Sequence, residues 1–245
     1  MTPTLYVFTI SHYCEKAKWV LEYLGIEHRV KVISPLSHTK RAQALGLKRG
    51  SVPFLQIGEG VAIQGSNNIA LWAEQNAPNG RSLRVEDKEL SEIETRLDSV
   101  LGVHVRRCYY SEAICEHPHL VKPIFLHRLS LFERLSFPLA WGRVQQLMTK
   151  FMDLGQEQGE ESIAIIDQEL DWLESVRNKD SQYLMGDAPT IIDISVASLL
   201  APLMLPENYP TTALTRLPPL LNERVKDWEQ HPVWRAAENL YATLR

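Results

Sequence analysis

Two residues near the start of the chain, Ser11 and Cys14, have the types and spacing of a reactive pair. They lie three residues apart in the segment SHYCEKAKW (11–19), directly after the apolar run LYVFTI (5–10). Since the pattern after Ser11 is helical, the two side chains lie about one helical turn apart, just past a strand. A hydroxyl and a thiol at such a turn could act as a nucleophile and its partner in redox or group-transfer chemistry. The same residues could also form an ordinary helix start with an incidental cysteine.

The composition narrows the class of protein. The chain has 245 residues, of which 44% are hydrophobic and 23% charged, with a net charge of −4 at pH 7. These values suit one large or two modest globular domains. The net negative charge gives no reason to expect nucleic acid or an anionic membrane as a partner. The longest apolar stretch contains Asp193 and Pro202 and is shorter than the ~20 residues of a membrane span.

The three cysteines, Cys14, Cys108 and Cys115, are odd in number and widely spaced. A disulfide framework is therefore not expected, and a reducing, cytoplasmic location is favoured. The segment MTPTLYV has no signal-peptide features. His117 and His119 lie close to Cys115, but no fourth ligand has the spacing of a zinc site. We therefore expect a cytoplasmic protein without a metal.

The chain changes character near residue 80. Before that point, strand and helix patterns alternate in the order βαβ, helix, ββα, which predicts a four-stranded mixed sheet. Residues 76–87 have the turn formers and charges of a linker. The expected strands cover 5–10, 28–33, 52–57 and 61–64, and the expected helices cover about 12–24, 37–47 and 66–75.

Beyond the linker only helical periodicity is found. The segment from about Leu120 to Leu154 is expected to be broken at Pro138, because proline disrupts a helix interior. Thr190 and Asp193 have the spacing of a capping box, with Asp in place of the usual Glu or Gln. We expect two domains: an α/β domain over 1–78 and an all-helical domain over 86–245.

Three segments in this order resemble the cytosolic glutathione transferases, whose fold is a thioredoxin-like domain followed by a helical domain. They are SHYCEKAKWVLEYLGI (11–26), GSVPF (50–54) and YLMGDAPTIIDISVA (183–197). The resemblance covers essentially the whole chain. It implies that glutathione is the co-substrate and that a hydrophobic electrophile is the second substrate.

The resemblance places Ser11 at the catalytic position of the Ser-type members and Cys14 where glutaredoxin-like relatives keep a second cysteine. A serine cannot form a mixed disulfide, but it can donate a hydrogen bond to a bound thiolate. Lowering a thiol pKa from ~8.5 by ~2 units requires about 2.7 kcal/mol. One hydrogen bond to a charged group contributes roughly 1.5–3 kcal/mol, and a helix N-terminus adds about 0.3–1 kcal/mol. Ser11 and its helix can therefore supply the activation.

The resemblance also implies how glutathione is bound. A cis Pro53 would expose the backbone N–H and C=O of Val52 to the cysteinyl unit. Ser66, near the N-cap of the next helix, would hold the γ-glutamyl carboxylate. Family members commonly have Glu before that serine, whereas this chain has Gly65. The neutral partners Gln64 and Asn67 could substitute for the missing carboxylate, and Lys40 or His38 could bind the glycyl carboxylate.

Two other functions remain open: a glutathione-dependent thiol reductase that uses Cys14, and a non-catalytic scaffold with a transferase-like fold. Arg106-Arg107 and Tyr109-Tyr110 could line an electrophile pocket, although packing and surface charge explain them equally well. The resemblance further implies a homodimer, for which the segment 66–110 offers four apolar residues whose spacing the chain's own core would also explain. These residues are Leu71, Trp72, Ile93 and Leu97.

Overall fold

The structure is a computed structural model that describes residues 2–35, 37–78 and 80–245. Its first part is an α/β domain in which a four-stranded sheet is accompanied by three helices. In chain order the elements are β1 (Thr4–Val7), α1 (His12–Tyr23), β2 (Arg29–Val32), α2 (His38–Ala44), β3 (Phe54–Gly58), β4 (Val61–Gln64) and α3 (Ser66–Gln75).

The strand order β2-β1-β3-β4 confirms the predicted four-stranded mixed sheet. β1 runs parallel to β2 and antiparallel to β3, and β3 forms an antiparallel hairpin with β4. Leu5 of the central strand lies opposite Val30 on one side and Leu55 on the other. Leu5 and Leu55 are fully buried, which agrees with the apolar composition of an interior strand.

The first strand is shorter than the apolar run 5–10 predicted. It ends at Val7, and the following residues form a turn in which Ser11 N–H donates to the Phe8 carbonyl at 3.1 Å. Ile10 is apolar because it is buried in this turn, where its carbonyl accepts a hydrogen bond from the Tyr209 hydroxyl at 2.7 Å. Hydrophobicity alone cannot distinguish a buried turn from a strand.

The remainder of the chain is predominantly helical, as predicted. α9 is the central element: almost every residue of it is buried, and it packs against α1, α5 and α11. The elements are α4 (Lys88–Arg96), a π-helical turn (Leu97–Leu101), α5 (Gly102–Cys115), α6 (Pro118–Leu126), α7 (Leu131–Met152), α8 (Gln156–Val176), α9 (Ile191–Met204), α10 (Pro219–Trp228) and α11 (Pro232–Leu244).

The helix break expected at Pro138 was wrong, because Pro138 lies inside α7. The break instead separates α6 from α7 at residues 127–130, where Arg128 has a φ of 59°. Ser130 then starts α7 with a capping box: its Oγ accepts from Glu133 N–H, and the Glu133 carboxylate accepts from Ser130 N–H at 3.2 Å. A strong start signal at Ser130 fixes this boundary, whereas a proline removes only one internal hydrogen bond.

The predicted capping box of α9 is confirmed. Asp193 accepts hydrogen bonds from the N–H and the hydroxyl of Thr190 at 2.8 and 2.7 Å. Its other carboxylate oxygen accepts from Leu184 N–H at 2.8 Å. One aspartate therefore caps the central helix and also fixes the preceding loop.

Close packing joins the two parts of the molecule beside the start of α1. A Cβ at Gly102 would lie only 2.6 Å from the Tyr13 hydroxyl oxygen, so glycine allows α5 to approach α1. The Tyr13 hydroxyl donates to the Asp98 carbonyl at 2.6 Å. Along the described ranges, no helix combines the length and apolar character needed to cross a membrane.

Candidate active site

A cavity of about 590 Å³ lies between the α/β domain and the helical part of the chain. The turn after β1, the start of α1 and the loop before β3 form one wall. α5, α6 and α7 form the opposite wall, which is mainly apolar and aromatic. Residues that line the cavity include Phe8, Ser11, His12, Tyr13, Val52, Arg106, Tyr109, Tyr110, Phe125, Arg143, Val144 and Met148.

Ser11 lies at the N-cap of α1 and faces this cavity. Its backbone is extended, and its Oγ accepts a hydrogen bond from Cys14 N–H at 3.3 Å. The side chain thus caps the helix, one of the two interpretations that the sequence left open. This bond uses a lone pair of the oxygen and not its hydrogen. Because the Cys14 thiol is protonated and does not require that hydrogen, the hydroxyl can donate to a ligand.

Cys14 belongs to the core beneath the turn. It is 3% exposed and does not line the cavity. Burial raises the pKa of the Cys14 thiol to about 12, although hydrogen bonding from Ser11 and from the Phe8 backbone opposes this effect. The thiol is therefore protonated at neutral pH and shielded from solvent, whereas reactive cysteines are partly exposed thiolates.

The loop before β3 presents Val52 to the same cavity. The Val52–Pro53 peptide bond is cis, which confirms the prediction made from GSVPF. Gln64 holds this loop, since its side-chain amide donates to the carbonyls of Arg49 and Ser51 at 2.8 and 2.7 Å. The structure thus gives Gln64 a positioning role that its sequence position did not indicate.

The N-cap of α3 is Gly65, and Ser66 is the first residue of the helix. Gly65 has a φ of 91°, a conformation that L side chains rarely adopt. The backbone conformation at position 65 therefore favours glycine. Ser66 is 5% exposed, and its hydroxyl donates to Asp98 at 3.4 Å.

Asn67 and Asp98 share a buried partner, Lys16. The Lys16 side chain is 0% exposed, and its Nζ lies 2.8 Å from Asn67 Oδ1, 2.8 Å from Asp98 Oδ1 and 2.9 Å from Glu94 Oε1. Burial raises the pKa of Glu94, and the nearby Lys16 opposes that shift. This Lys16 cluster (Lys16, Asn67, Glu94 and Asp98) links α1 and α3 to the helical part, and no residue pattern in the sequence indicated it.

Lys40 lies apart from the other predicted binding residues. It is exposed on α2 and does not line the cavity, whereas its neighbours His38 and Thr39 do. Thus the cavity brings Ser11 and Val52 together. Asn67 belongs to the Lys16 cluster and Ser66 contacts its Asp98, whereas Lys40 lies on the exposed surface of α2.

The His12 side chain is buried beside the cavity and is held neutral. Its Nε2 lies 3.0 Å from the Gly102 carbonyl and donates to it. Burial, assisted by the positive charges of Arg106 and Lys16, lowers the pKa of His12 to about 3. The His12 imidazole is therefore uncharged at physiological pH.

We expect His12 to make the protein less stable in mild acid. Its pKa is lower in the folded than in the unfolded chain, so the unfolded state takes up the proton first as the pH falls below the unfolded value of 6.5. Stability present at neutral pH is then lost, by about 2 kcal/mol at about pH 5. Urea unfolding at neutral pH and at about pH 5 measures this loss of stability. We expect the full loss in the wild type and in His119→Gln, a control at an exposed histidine, and a smaller loss in His12→Gln. Equal losses in all three proteins would exclude His12 as the cause.

Across the described ranges, no group of three or more His, Cys, Asp or Glu residues could hold a metal ion. His117 and His119 have ring centroids 6.1 Å apart, edge to face, so these rings pack against each other.

Comparison with known families identifies the first domain. Residues 5–81 match the family model described as "Glutathione S-transferase, N-terminal domain". This range contains the Ser11 turn, the cis Val52–Pro53 loop and the start of α3. No curated protein matches the sequence.

Solved structures resemble this chain over essentially its whole length. Glutathione transferase GSTFuA3 from Phanerochaete chrysosporium is 17% identical with a TM-score of 0.64, covering 100% of this chain and 98% of its own. A glutathione S-transferase from Xanthobacter autotrophicus is 18% identical with a TM-score of 0.61. The match covers 98% of this chain and 93% of the other. A glutathione S-transferase from Ceriporiopsis subvermispora, in complex with glutathione, is 15% identical with a TM-score of 0.61. The match covers 100% of this chain and 98% of the other.

These likenesses confirm the predicted fold, a thioredoxin-like domain followed by an all-helical domain. Residues 5–81 thus match the glutathione S-transferase N-terminal domain, and the chain as a whole has the fold of the glutathione transferases to which it is similar.

Proposed function

We propose that the protein is a glutathione transferase in which Ser11 stabilises the thiolate of bound glutathione. The thiolate sulfur attacks an electrophilic carbon of a hydrophobic molecule and forms a thioether. The leaving group departs with the bonding electrons, and the thiol proton passes to solvent. The complex of the Ceriporiopsis subvermispora relative with glutathione supports glutathione as the co-substrate.

One observation carries this proposal: a single cavity is lined by Ser11, by Val52 and by a largely apolar opposite wall. Val52 directly precedes the cis proline, and its peptide groups can pair with the cysteinyl unit of a peptide-like ligand. A sulfur held between Ser11 and Val52 would face an electrophile that packs against Phe125 and Met148. This arrangement brings the two reactants into contact, which is the main contribution of a transferase site.

The N-terminus of α3 supports a place for the γ-glutamyl group. Gly65 has no side chain, so the first N–H groups of the helix, including those of Ser66 and Asn67, have no side-chain cap. Such N–H groups favour a carboxylate. The Asp98 side chain, 17% exposed beside Ser66, supplies an acceptor for the amino group in place of the usual Glu. Gln64 would act indirectly, by holding the Val52 loop, and Lys40 by attracting the glycyl carboxylate from the surface.

The position of Cys14 disfavours the reductase alternative. A thiol–disulfide exchange requires an accessible thiolate, whereas burial raises the pKa of this thiol and removes it from the cavity. The scaffold alternative predicts ligand binding without turnover.

A glutathione-affinity column followed by a conjugation assay with chlorodinitrobenzene tests the proposal. We expect retention and thioether formation by the wild type, and retained turnover in Cys14→Ala. Retention without turnover would favour the scaffold. Disulfide reduction that disappears in Cys14→Ala would favour the reductase.

We further propose a homodimer, as the resemblance of the sequence implied. Of the four residues considered for its interface, Leu97 is 0% exposed within the chain's own core and is not available. Leu71 is 39% exposed, and Trp72 and Ile93 are half-buried. Sedimentation at micromolar concentration should give one species of twice the 28.0 kDa chain mass, with an interface above ~1,000 Å². A single species at the chain mass would exclude the dimer.

A further inference from the structure

The wall opposite Ser11 carries a cation without an anionic partner. Arg106 lies on α5 and lines the cavity, and its Nε is buried without a hydrogen-bond partner. Within the described ranges, Arg106 forms no ion pair with any acidic residue. Arg106 as a whole is half-buried, so part of its guanidinium is shielded from water without a partner. A shielded polar group favours a bound partner, and an anion that enters the cavity would supply one.

The adjacent arginine shows the contrast. Arg107 is turned away from the cavity and pairs with Asp153 at 2.8 Å and Glu161 at 3.0 Å. The two side chains have the same chemistry and differ only in the direction that α5 gives them. Arg107 therefore forms ion pairs at the surface, whereas Arg106 lines the cavity as a cation that is unpaired among the described residues.

The electrostatics of the cavity agree with this assignment. None of the described residues that line it is an Asp or a Glu, and Arg143 adds a second positive charge. His12 stays neutral, because burial and then the charge of Arg106 lower its pKa. Burial raises the pKa of Tyr110, and Arg106 opposes that shift. The cavity is therefore apolar but positive.

A second polar group points to the same ligand. Tyr109 follows Arg106 by three residues and lines the same cavity, so the two lie on one face of α5. Tyr109 is 2% exposed, and its hydroxyl is buried without a hydrogen-bond partner. An unsatisfied buried hydroxyl is unfavourable, and an oxygen of a bound ligand would accept its hydrogen.

We propose that the electrophile is an aromatic carboxylate, whose carboxylate binds the Arg106 guanidinium and the Tyr109 hydroxyl. Its ring packs among the aromatic side chains of the cavity wall, and its electrophilic carbon faces the sulfur near Ser11. The planar guanidinium matches the geometry of a carboxylate. This inference rests on the proposed transferase function and names the class of its second substrate.

A matched pair of electrophiles tests the inference: a chlorodinitrobenzoate and its methyl ester, which differ in charge but react at the same carbon. We expect the wild type to prefer the acid in kcat/KM. Arg106→Met should reduce this preference about ten-fold or more, the effect of one hydrogen bond to a charged group. Arg106→Lys should restore part of it, Tyr109→Phe should reduce it, and the control Arg107→Met should leave it unchanged.

Binding without reaction keeps the test independent of turnover. Calorimetric titration with dinitrobenzoate and with its methyl ester measures the same preference in the absence of any leaving group. Tighter binding of the acid that Arg106→Met removes would support the anion site even if no conjugation occurred, in which case only the transferase proposal would fail.

Three results would overturn the inference. The wild type could bind the acid and the ester equally well, or Arg106→Met could leave the preference intact. Alternatively, Arg106→Met could raise the KM for glutathione while acid and ester lose activity equally, which would mean that Arg106 binds a carboxylate of glutathione.

Discussion

Replacing Lys16 with Met should lower the free energy of unfolding by about 3–5 kcal/mol, the usual effect of removing one partner of a buried ion pair. The Lys16 ammonium is completely buried and lies within 2.9 Å of Glu94 and 2.8 Å of Asp98. Methionine preserves most of the side-chain volume but leaves both carboxylates without a cation. Urea unfolding at about pH 7.5 measures the loss as a lower midpoint at an unchanged slope.

Lys18→Met is the matched control on the same helix. Lys18 is 30% exposed and lies 3.6 Å from Glu22, so its replacement should change stability by less than about 1 kcal/mol. The loss in Lys16→Met should also shrink as the pH falls. Burial raises the folded-state pKa of Glu94 and Lys16 opposes that rise, so this pKa is higher still in the folded variant without Lys16. The folded variant therefore takes up the Glu94 proton at higher pH than the wild type does, and it regains stability relative to the wild type towards acid pH. A Lys16→Met protein within 1 kcal/mol of the wild type would disprove the structural role of the cluster.

The sequence predicted the order of strands and helices because hydrophobic periodicity and capping residues are local signals. The α9 capping box at Thr190 and Asp193 illustrates this, since both residues lie within one turn. The boundary between α6 and α7 was wrong for a related reason. The break was expected at Pro138 from the proline alone, whereas the capping box at Ser130 decides where the helix starts.

The Lys16 cluster could not be predicted in the same way. In the sequence, Lys16 and Lys18 are equivalent charges of one amphipathic helix. Only the packing of α1 between α3 and the helical part distinguishes them, because it buries one and exposes the other. Asp98 reaches the cluster from a π-helical turn. No residue pattern in the sequence predicts this local irregularity.

The candidate site was only partly predicted, because local motifs can be read from the sequence whereas packing between distant elements cannot. The sequence singled out Ser11 and Val52, which both line the cavity, because each belongs to a short motif at a turn. The sequence left two interpretations of Arg106 and Tyr109 open, since a cavity between two domains depends on contacts distant in the chain. Arg106 and Arg107 are adjacent in the sequence, yet only one of them lines the cavity.

Replacing Ser11 with Ala should lower kcat/KM for conjugation about 10- to 100-fold, the range expected for one hydrogen bond to a charged group. The Ser11 hydroxyl faces the cavity, and its hydrogen is left to donate after the oxygen has accepted from Cys14 N–H. Without this donor the bound glutathione thiol should ionise at higher pH. The pH profile of kcat/KM should therefore shift upwards, an effect that a purely structural serine would not produce.

Because Ser11 is also the N-cap of α1, alanine should in addition lower stability by about 1 kcal/mol. Ser11→Gly separates the two roles, since glycine at an N-cap costs only a few tenths of a kcal/mol but removes the hydroxyl completely. Ser11→Thr keeps both the hydroxyl and the cap. We expect Gly to lose as much activity as Ala at nearly wild-type stability, and Thr to retain most of the activity. Unchanged activity in Ser11→Gly would remove the hydroxyl from the mechanism and leave Ser11 as a helix cap alone.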